Sequence, residues 1–236
     1  MTTSTTDGAP AEVRAKLAVA LDVDDTVAAL RLARELLPWI GVAKVGLELY
    51  CAAGPDIVGG LAELGIDVFC DLKLHDIPTT VGRASRVVGA LGARYLNFHA
   101  QGGVSMLRAG VDGFLTGASE AGLPAPTPLA VTILTSDGDA PPHILGKRVQ
   151  AALEAGCGGI VCAADDVREA KQLGPRLVAV VPGIRPSGSD VHDQARSATP
   201  EAAIANGADI LVLGRAVTRA ADPAAAAASI ASSITR

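Results

Sequence analysis

The sequence predicts an α/β fold of the (β/α)8 class, the TIM barrel, with parallel strands inside and helices outside. Short apolar runs rich in Val, Ile and Leu alternate with helical patterns along the chain, which indicates parallel strands buried on both faces. Eight such units fit in 236 residues, near the length of about 250 that is typical of this barrel. A doubly wound open sheet is the alternative, but six units would suit it better and no GxGxxG follows the first strand.

The strand candidates are apolar runs, each followed by a polar residue or a Gly/Pro break. In chain order they are Leu17–Asp22, Val42–Gly46, Asp67–Leu72, Tyr95–His99, Leu129–Thr132, Gly159–Cys162, Leu177–Val181 and Ile210–Leu213. The helical patterns between them are Asp25–Leu37, Pro78–Leu91, Val104–Ala121, Gly146–Ala155, Asp166–Leu173 and Thr199–Asn206, and Ala220–Ala228 is expected to belong to a closing helix. Several are followed by a glycine of the kind that ends helices, namely Gly92, Gly156, Gly174 and Gly207.

The domain organisation is predicted to be simple. Residues 1–11 are small and polar and are expected to be disordered, and residues 12–236 are expected to form one barrel domain without a linker. The first residues lack both the basic and the apolar regions of a secretory signal. No run approaches about 18 apolar residues, so no membrane span is expected.

Composition excludes some partners. A net charge of −5, no basic block and 3% aromatic residues argue against a nucleic-acid interface. The four cysteines form no CxxC pair and are expected to be small buried hydrophobes in a reducing compartment, which points to the cytoplasm. They are Cys51, Cys70, Cys157 and Cys162. A metal site built from them is the weaker alternative.

The most informative segment is Asp71–Asp76, where charges end the third apolar run. Asp71 and Lys73 should point the same way on a strand, whereas Asp76 leaves that alternation and is expected in the following loop. Acids placed on both sides of a lysine would keep it charged and aimed. This suits proton delivery better than nucleophilic attack, which needs a neutral amine. A structural ion-pair network is the alternative.

Other strand ends carry polar residues too, and the active site of such a barrel lies at the carboxyl ends of its strands. They are Asp22, Lys44, Asn97 with His99, and Thr132 followed by Thr135 and Ser136. Taken singly, Lys44 could snorkel to the surface, His99 could be a core histidine and Thr132 an ordinary strand residue. Together they predict a site, because ionisable groups are costly to bury unpaired.

The loops after the seventh and eighth strands suit a phosphate. The first begins Pro182-Gly183-Ile184-Arg185 and the second is Gly214-Arg215-Ala216. Glycine allows close approach of the backbone, arginine can bind phosphate with two hydrogen bonds, and barrels often bind phosphate here. A flexible turn with surface arginines is the alternative. The long polar segment from Gly183 to Ser197 could also close over a ligand as a lid.

These residues resemble the orotidine 5′-monophosphate decarboxylase family over nearly the whole barrel, from Leu21 to Thr218. The family signature DxKxxDIPxT stands at Asp71–Thr80. Around it, in family order, lie Leu21-Asp22, Lys44-Val45-Gly46, Asn97-Phe98-His99-Ala100, Val131-Thr132, Leu134-Thr135-Ser136, Pro182-Gly183-Ile184-Arg185, Asp193-Gln194 and Leu213-Gly214-Arg215. His192 and the segment Asp137–Pro142 depart from the pattern.

The resemblance implies conversion of orotidine 5′-monophosphate to uridine 5′-monophosphate and CO₂, without metal, pyridoxal or other cofactor. Lys73 would protonate C6 of the pyrimidine while Asp71 lies beside the departing carboxylate. Lys44 would hold Asp71 and a ribose hydroxyl, and Asp22 would also bind the ribose.

The resemblance also implies a homodimer with shared sites, in which Asp76 and Thr80 reach the ribose region of the neighbouring subunit. Ser136 would contact the pyrimidine, with Thr132 and His99 in supporting roles. The 5′-phosphate would be held by the loop that begins at Pro182 and by Arg185, Gln194, Gly214 and Arg215.

Two rival functions are open. Sister enzymes such as 3-hexulose-6-phosphate synthase and 3-keto-L-gulonate 6-phosphate decarboxylase look alike around DxKxxD but use Mg²⁺, and they place an acid where this chain has Lys44. A non-catalytic sensor of phosphate ligands would be expected to lose Lys73 or Asp71, and neither is lost.

Overall fold

The computed structural model describes residues 8–137, 139–141, 143–186 and 196–235, and across these ranges the chain forms a closed barrel of eight parallel strands in sequence order. The predicted (β/α)8 class is confirmed, and the open sheet is excluded because β1 (Leu17–Ala20) pairs with both β2 and β8. The other strands are β2 Val42–Gly46, β3 Asp67–Leu74, β4 Tyr95–His99, β5 Thr127–Val131, β6 Gly159–Val161, β7 Val178–Val181 and β8 Ile210–Leu213.

The predicted bounds of β2, β4 and β8 are confirmed, and the others differ by one or two residues. β5 begins earlier than predicted because Pro128 lacks only the hydrogen-bond donor, and its carbonyl accepts from the Gly158 N–H at 2.9 Å. β3 continues past Leu72 to Leu74 through an irregularity described below.

The helices cover the outside of the barrel. Within the described ranges they are α1 Ala11–Arg14, α2 Thr26–Leu36, α3 Leu47–Ala53, α4 Asp56–Ala62, α5 Pro78–Ala90, α6 Gly103–Glu120, α7 His143–Ala155, α8 Val167–Leu173, α9 Pro200–Ala205, α10 Arg215–Thr218 and α11 Pro223–Ser233. The closing helix begins at Pro223 rather than Ala220, because the Asp222 carboxylate accepts from the Ala225 N–H at 2.8 Å and caps it.

Three predictions made for segments outside the strands concern the N-terminal residues, the glycines after the helices and a membrane span. The predicted disorder of residues 1–11 stays a prediction for residues 1–7, which lie outside the described residues. In the rest of that segment the Ala9 N–H donates to the Pro38 carbonyl at 2.8 Å, and α1 begins at Ala11. Gly92, Gly156 and Gly207 have left-handed φ angles of 89°, 83° and 100°, as expected after a helix, but Gly174 has φ −135°. No helix among the described residues is both long and apolar enough to cross a bilayer.

All four cysteines are free, but one differs from the prediction. Cys70, Cys157 and Cys162 are buried, and burial raises the pKa of each thiol to about 12. Cys51 is exposed, because it lies on the outer face of the short helix α3.

Strand residues alternate between two apolar layers, and this alternation positions the site. Outward-facing residues such as Leu17 and Val19 pack under the helices. The inward-facing residues fill the barrel: Ala18, Ala20, Val42, Phe69, Leu129, Val131, Val161, Val180, Ile210 and Val212. Lys44 comes two residues after Val42, and Asp71 two residues after Phe69, so both continue the inward-facing rows at the carboxyl end.

Helices α5 and α6 pack with almost no space between their backbones. A Cβ atom at Gly113 would overlap the carbonyl oxygen of Gly82, and one at Gly117 would overlap that of Arg86. Glycine is therefore required at these contacts. The pair flanks β4 and carries Pro78, which opens α5 just after the charged segment of β3.

Candidate active site

A cleft of about 480 Å³ opens at the carboxyl ends of the strands. Its floor is apolar and belongs to the barrel interior, and its rim carries the charged residues that follow the strands. The polar residues that line it are Asp22, Lys44, Glu48, Asp71, Lys73, Thr135, Arg185, Arg215, Thr218 and Arg219. The volume lies in the range of small-ligand sites.

Four of the predicted residues form a continuous row of alternating charge. Lys44 Nζ lies 3.0 Å from Asp22 Oδ1 and 3.4 Å from Asp71 Oδ2, and Lys73 Nζ lies 2.6 Å from Asp71 Oδ1. Lys44 is only 8% exposed, so it does not snorkel to the surface. The row satisfies charges that would be costly to bury alone.

Asp71 is held ionised by its neighbours. Burial acts to raise its pKa, but the Lys44 and Lys73 charges and hydrogen bonds from Lys73 and Asn97 outweigh burial, so its pKa lies below the usual value. The carboxylate therefore stays negative across neutral pH. A fixed negative charge with a fixed lysine beside it is what proton delivery to a reacting carbon requires.

A bulge in β3 brings Asp71 and Lys73 together. The ladder between β3 and β4 pairs Cys70 with Leu96 and then Leu74 with Phe98, so the residues from Asp71 to Lys73 lie opposite Asn97 alone. Lys73 has φ 49°, the left-handed region that non-glycine residues rarely adopt. Asp71 and Lys73 contact each other as an ion pair, but the bulge interrupts the regular alternation from which their shared face was predicted.

Asn97 is a residue whose role the sequence did not predict. Its side chain is fully buried; Nδ2 donates to Asp71 Oδ1 at 2.7 Å, and Oδ1 accepts from the Lys73 N–H at 2.7 Å. The available signal was its position two residues after Tyr95, which places a polar amide on the inward face of β4.

His99 is half-buried and lies beside His75, with ring centroids 5.6 Å apart. Burial, with the His75, Lys73 and Arg148 charges, lowers the pKa of His99, and Asp71 opposes this only in part. His99 is therefore neither fully buried in the core nor part of the cleft lining.

Asp76 and Thr80 are exposed and do not line the cleft of their own chain. Asp76 lies in the loop between β3 and α5, as expected, and its Oδ1 accepts from the Ile77 N–H at 2.6 Å. Ile77 is 66% exposed, a large value for isoleucine. The structure of the single chain does not bring these residues together with Lys73.

The residues after β5 divide between the site and the core. Thr132 is buried and its hydroxyl donates to the Val161 carbonyl at 3.1 Å, so it joins β5 to β6 rather than facing the cleft. Thr135 and Leu134 line the cleft, whereas Ser136 is exposed and does not. Substrate contacts of Thr132 and Ser136 stay predictions.

The same cleft collects most of the residues predicted to bind phosphate. Pro182, Gly183 and Arg185 line it after β7, and Gly214 and Arg215 line it after β8. Gln194 and most of the predicted lid lie outside the described residues.

Three polar lining residues were not predicted from the sequence: Glu48, Thr218 and Arg219. Arg219 could have been found, because it follows Arg215 by four residues, the spacing of one helical turn, and it is the C-cap residue of α10. Among the described residues no group of three or more His, Cys, Asp or Glu side chains has the arrangement of a metal site.

The chain is similar to known proteins over most of its length. Residues 15–230 match the Orotidine 5′-phosphate decarboxylase / HUMPS family. Orotidine 5′-phosphate decarboxylase of Anaeromyxobacter dehalogenans is 46% identical over 230 residues, which cover 93% of this chain and 98% of that protein. The enzyme of the same name from Moorella thermoacetica is 44% identical over 231 residues, covering 93% and 92%.

The chain is also similar to solved structures. A conserved protein of Geobacillus kaustophilus described as uncharacterized superimposes with a TM-score of 0.79 at 34% identity, covering 92% of this chain and 99% of that one. Orotidine 5′-phosphate decarboxylase of Lactobacillus acidophilus gives a TM-score of 0.76 at 31% identity, covering 93% and 99%. The match spans the barrel and every described residue of the cleft, and the chain therefore belongs to the Orotidine 5′-phosphate decarboxylase / HUMPS family.

Proposed function

We propose that this chain is an orotidine 5′-phosphate decarboxylase, which converts orotidine 5′-monophosphate to uridine 5′-monophosphate and CO₂ in pyrimidine biosynthesis. The observation that carries the proposal is the Lys73–Asp71 pair, with its 2.6 Å contact, in a cleft that is also lined by Arg185 and Arg215. The cleft thus combines a proton donor beside a negative charge with cations for a phosphate.

Lys73 acts as the proton donor to C6. Loss of CO₂ leaves a carbanion on a ring carbon with little resonance relief, and a fixed ammonium aimed at that carbon stabilises it and then supplies the proton. Asp71, kept ionised by its low pKa, repels the substrate carboxylate before that charge leaves as CO₂. The role of Lys73 as a charged donor is supported by its ion pair with Asp71.

The ribose and phosphate are bound away from the bond that breaks. Asp22 and Lys44 bind ribose hydroxyls in this proposal, which is supported by their ion pair at the cleft and by the contact of Lys44 with Asp71. Arg185, Gly214 and Arg215 bind the 5′-phosphate, and Gln194 and Pro182 complete that end of the site. Binding energy gained there positions the ring against Lys73 and so lowers the chemical barrier from a distance.

A homodimer with shared sites completes the proposal. Asp76 and Thr80 are exposed and do not line the cleft of their own chain, and Ile77 between them is an exposed apolar residue. Burial of Ile77 against a second copy would bring Asp76 and Thr80 toward the partner's ribose site. Ser136 contacts the pyrimidine once the loop after β5 closes over it.

The Mg²⁺-dependent sister function is the second candidate, because the family that the chain matches is described by both activities. Lys44 argues against it. A lysine 3.4 Å from Asp71, with Lys73 on its other side, occupies with positive charge the place where a divalent cation would need acidic ligands. The lysines supply the charge, and the reaction is proposed to need no metal and no other cofactor.

The activity is placed in the cytoplasm, because three free cysteines are buried as thiols and the substrate is a nucleotide.

The test is the ultraviolet absorbance of orotidine 5′-monophosphate incubated with the purified protein in EDTA. Loss of the orotate band with formation of uridine 5′-monophosphate is expected. No change in EDTA, followed by turnover of a sugar phosphate once Mg²⁺ is added, would assign the chain to the sister branch and overturn the role given to Lys44.

A further inference from the structure

The bulge in β3 has a specific partner across the sheet. Three residues, Asp71 to Lys73, stand opposite the single residue Asn97, because the ladder resumes only at the pair Leu74–Phe98. A bulge leaves backbone groups without their usual ladder partners, and an unpaired buried N–H is costly. At this bulge the Lys73 N–H is satisfied by the Asn97 side chain at 2.7 Å.

The same side chain also holds the Asp71 carboxylate. Its Nδ2 donates to Asp71 Oδ1 at 2.7 Å, the oxygen that also accepts from Lys73 Nζ at 2.6 Å. Asn97 is 0% exposed and lies on β4, a strand fixed by its pairing with β5. One rigid amide therefore contacts the backbone of one charged residue and the carboxylate of the other.

We infer that Asn97 is a positioning residue, which holds Lys73 in its left-handed backbone conformation and fixes Asp71 against it, so that the lysine ammonium is aimed at the reacting carbon. The inference rests on the proposed function of Lys73 and Asp71.

The geometry explains why the amide is needed. A left-handed φ is strained for lysine and persists only where its surroundings fix it. Only a side chain with both a donor and an acceptor can serve the Lys73 N–H and the Asp71 carboxylate together, and asparagine has both. Aspartate would keep the acceptor, lose the donor and add a negative charge beside Asp71.

Asn97→Ala and Asn97→Asp test the inference, with Ser85→Ala as the matched control. Ser85 is also fully buried, but its hydroxyl donates to the Val81 carbonyl of its own helix at 2.6 Å, and Ser85 does not line the cleft. We expect kcat to fall about 10- to 100-fold in Asn97→Ala and further in Asn97→Asp, while the Kd for uridine 5′-monophosphate changes less than about threefold. Ser85→Ala should keep kcat within about twofold of the wild type.

A second readout needs no turnover. Carbon-13 NMR of labelled aspartate, with the Asp71 signal assigned by its absence in Asp71→Asn, follows the titration of that carboxylate. Lys44 from β2, Lys73 from β3 and His99 from β4 are the charged and titratable groups that face it, and they are unchanged in the variants. Loss of the Asn97 donor should move the Asp71 midpoint to higher pH, and Asn97→Asp should move it further.

Each outcome decides the inference. A fall in kcat with nucleotide affinity kept and the Asp71 midpoint raised supports it. A kcat equal to that of Ser85→Ala, or an unmoved Asp71 midpoint, overturns it, because a merely structural residue would lower only the melting temperature. If Asn97→Ala does not fold, Asn97→Ser carries both measurements with a smaller expected loss. A wild type that fails to decarboxylate overturns the proposed function instead, and the NMR titration still decides the role of Asn97.

Discussion

The ammonium nitrogen of Lys73 lies 2.6 Å from Oδ1 of Asp71, and the two residues are separated by only one position in β3. The pair forms at the bulge, where Lys73 has a φ of 49° and the ladder to β4 shifts its register. The ion pair holds the lysine against the carboxylate and helps to keep that carboxylate charged, and the proposed chemistry requires both.

Replacing Lys73 by alanine should abolish turnover and leave nucleotide binding intact. The proton donor is lost, and general acid catalysis contributes about 10²- to 10⁴-fold to a rate. The phosphate end of the cleft is untouched, so uridine 5′-monophosphate should still bind, as calorimetry can measure. Near-normal decarboxylation by Lys73→Ala would refute the assignment of the donor.

Arg215→Ala should mainly weaken substrate binding. A charged hydrogen bond contributes roughly 1.5–3 kcal/mol, so KM should rise about 10- to 150-fold and kcat should fall less. Arg176→Ala is the matched control, because Arg176 is exposed at the opposite end of β7 and does not line the cleft. Equal effects of the two substitutions on KM would remove Arg215 from the phosphate site.

Mixing two inactive variants tests the shared site. Asp76→Ala and Lys73→Ala subunits, each inactive alone, should regain part of the wild-type activity after subunit exchange, because one of the two sites of a mixed dimer then carries both changes and the other carries none. Exchange is followed with subunits of distinguishable mass. Absence of recovery in a sample of proven mixed dimers would show that Asp76 serves its own chain or none.

The fold was predictable because apolar runs and helical patterns are local signals, and the order of strands in a barrel follows the order of the chain. β2, β4 and β8 were predicted to the residue. The bulge could not be predicted, because it depends on the register in which β3 and β4 pair, and that register cannot be read from the sequence of either strand alone. Asn97 was therefore visible as a polar residue in an apolar strand and as part of a family motif, but its contacts with Asp71 and Lys73 were not.

The sequence predicted which residues belong to the site better than it predicted which atoms contact each other. Asp71 and Lys73 were predicted to share a face by strand alternation and Lys44 was predicted from its place in the second strand, and the structure puts both lysines within 3.4 Å of Asp71. Thr132 shows the limit of this reasoning. Its hydroxyl could face the cleft or the neighbouring strand, and the distance to the Val161 carbonyl decides for the strand.

Acid should weaken the fold partly through His99. Its pKa is lowered in the folded state by burial and by neighbouring positive charge, so the folded state binds fewer protons than the unfolded chain. The stability contributed by keeping His99 neutral is complete above about pH 6.5, the unfolded value, and is lost as pH falls toward the lower folded value. The drop in denaturation midpoint between pH 7.5 and pH 5 should therefore be smaller in His99→Gln than in the wild type. An equal drop in both proteins would assign the acid sensitivity to other groups.

The last prediction concerns the close contact between α5 and α6. A Cβ at Gly117 would overlap the backbone carbonyl of Arg86, and backbone cannot turn aside as a flexible side chain can. Gly117→Ala should therefore lower the free energy of unfolding by about 1–3 kcal/mol, as overpacking does. Gly59→Ala in α4 is the matched control, because nothing lies within 4 Å of its Cβ position and its φ is not left-handed. There alanine should stabilise the helix by about 0.5–1 kcal/mol. Thermal unfolding compares the two, and a Gly117→Ala protein as stable as Gly59→Ala would mean that α5 and α6 lie further apart than the structure has them.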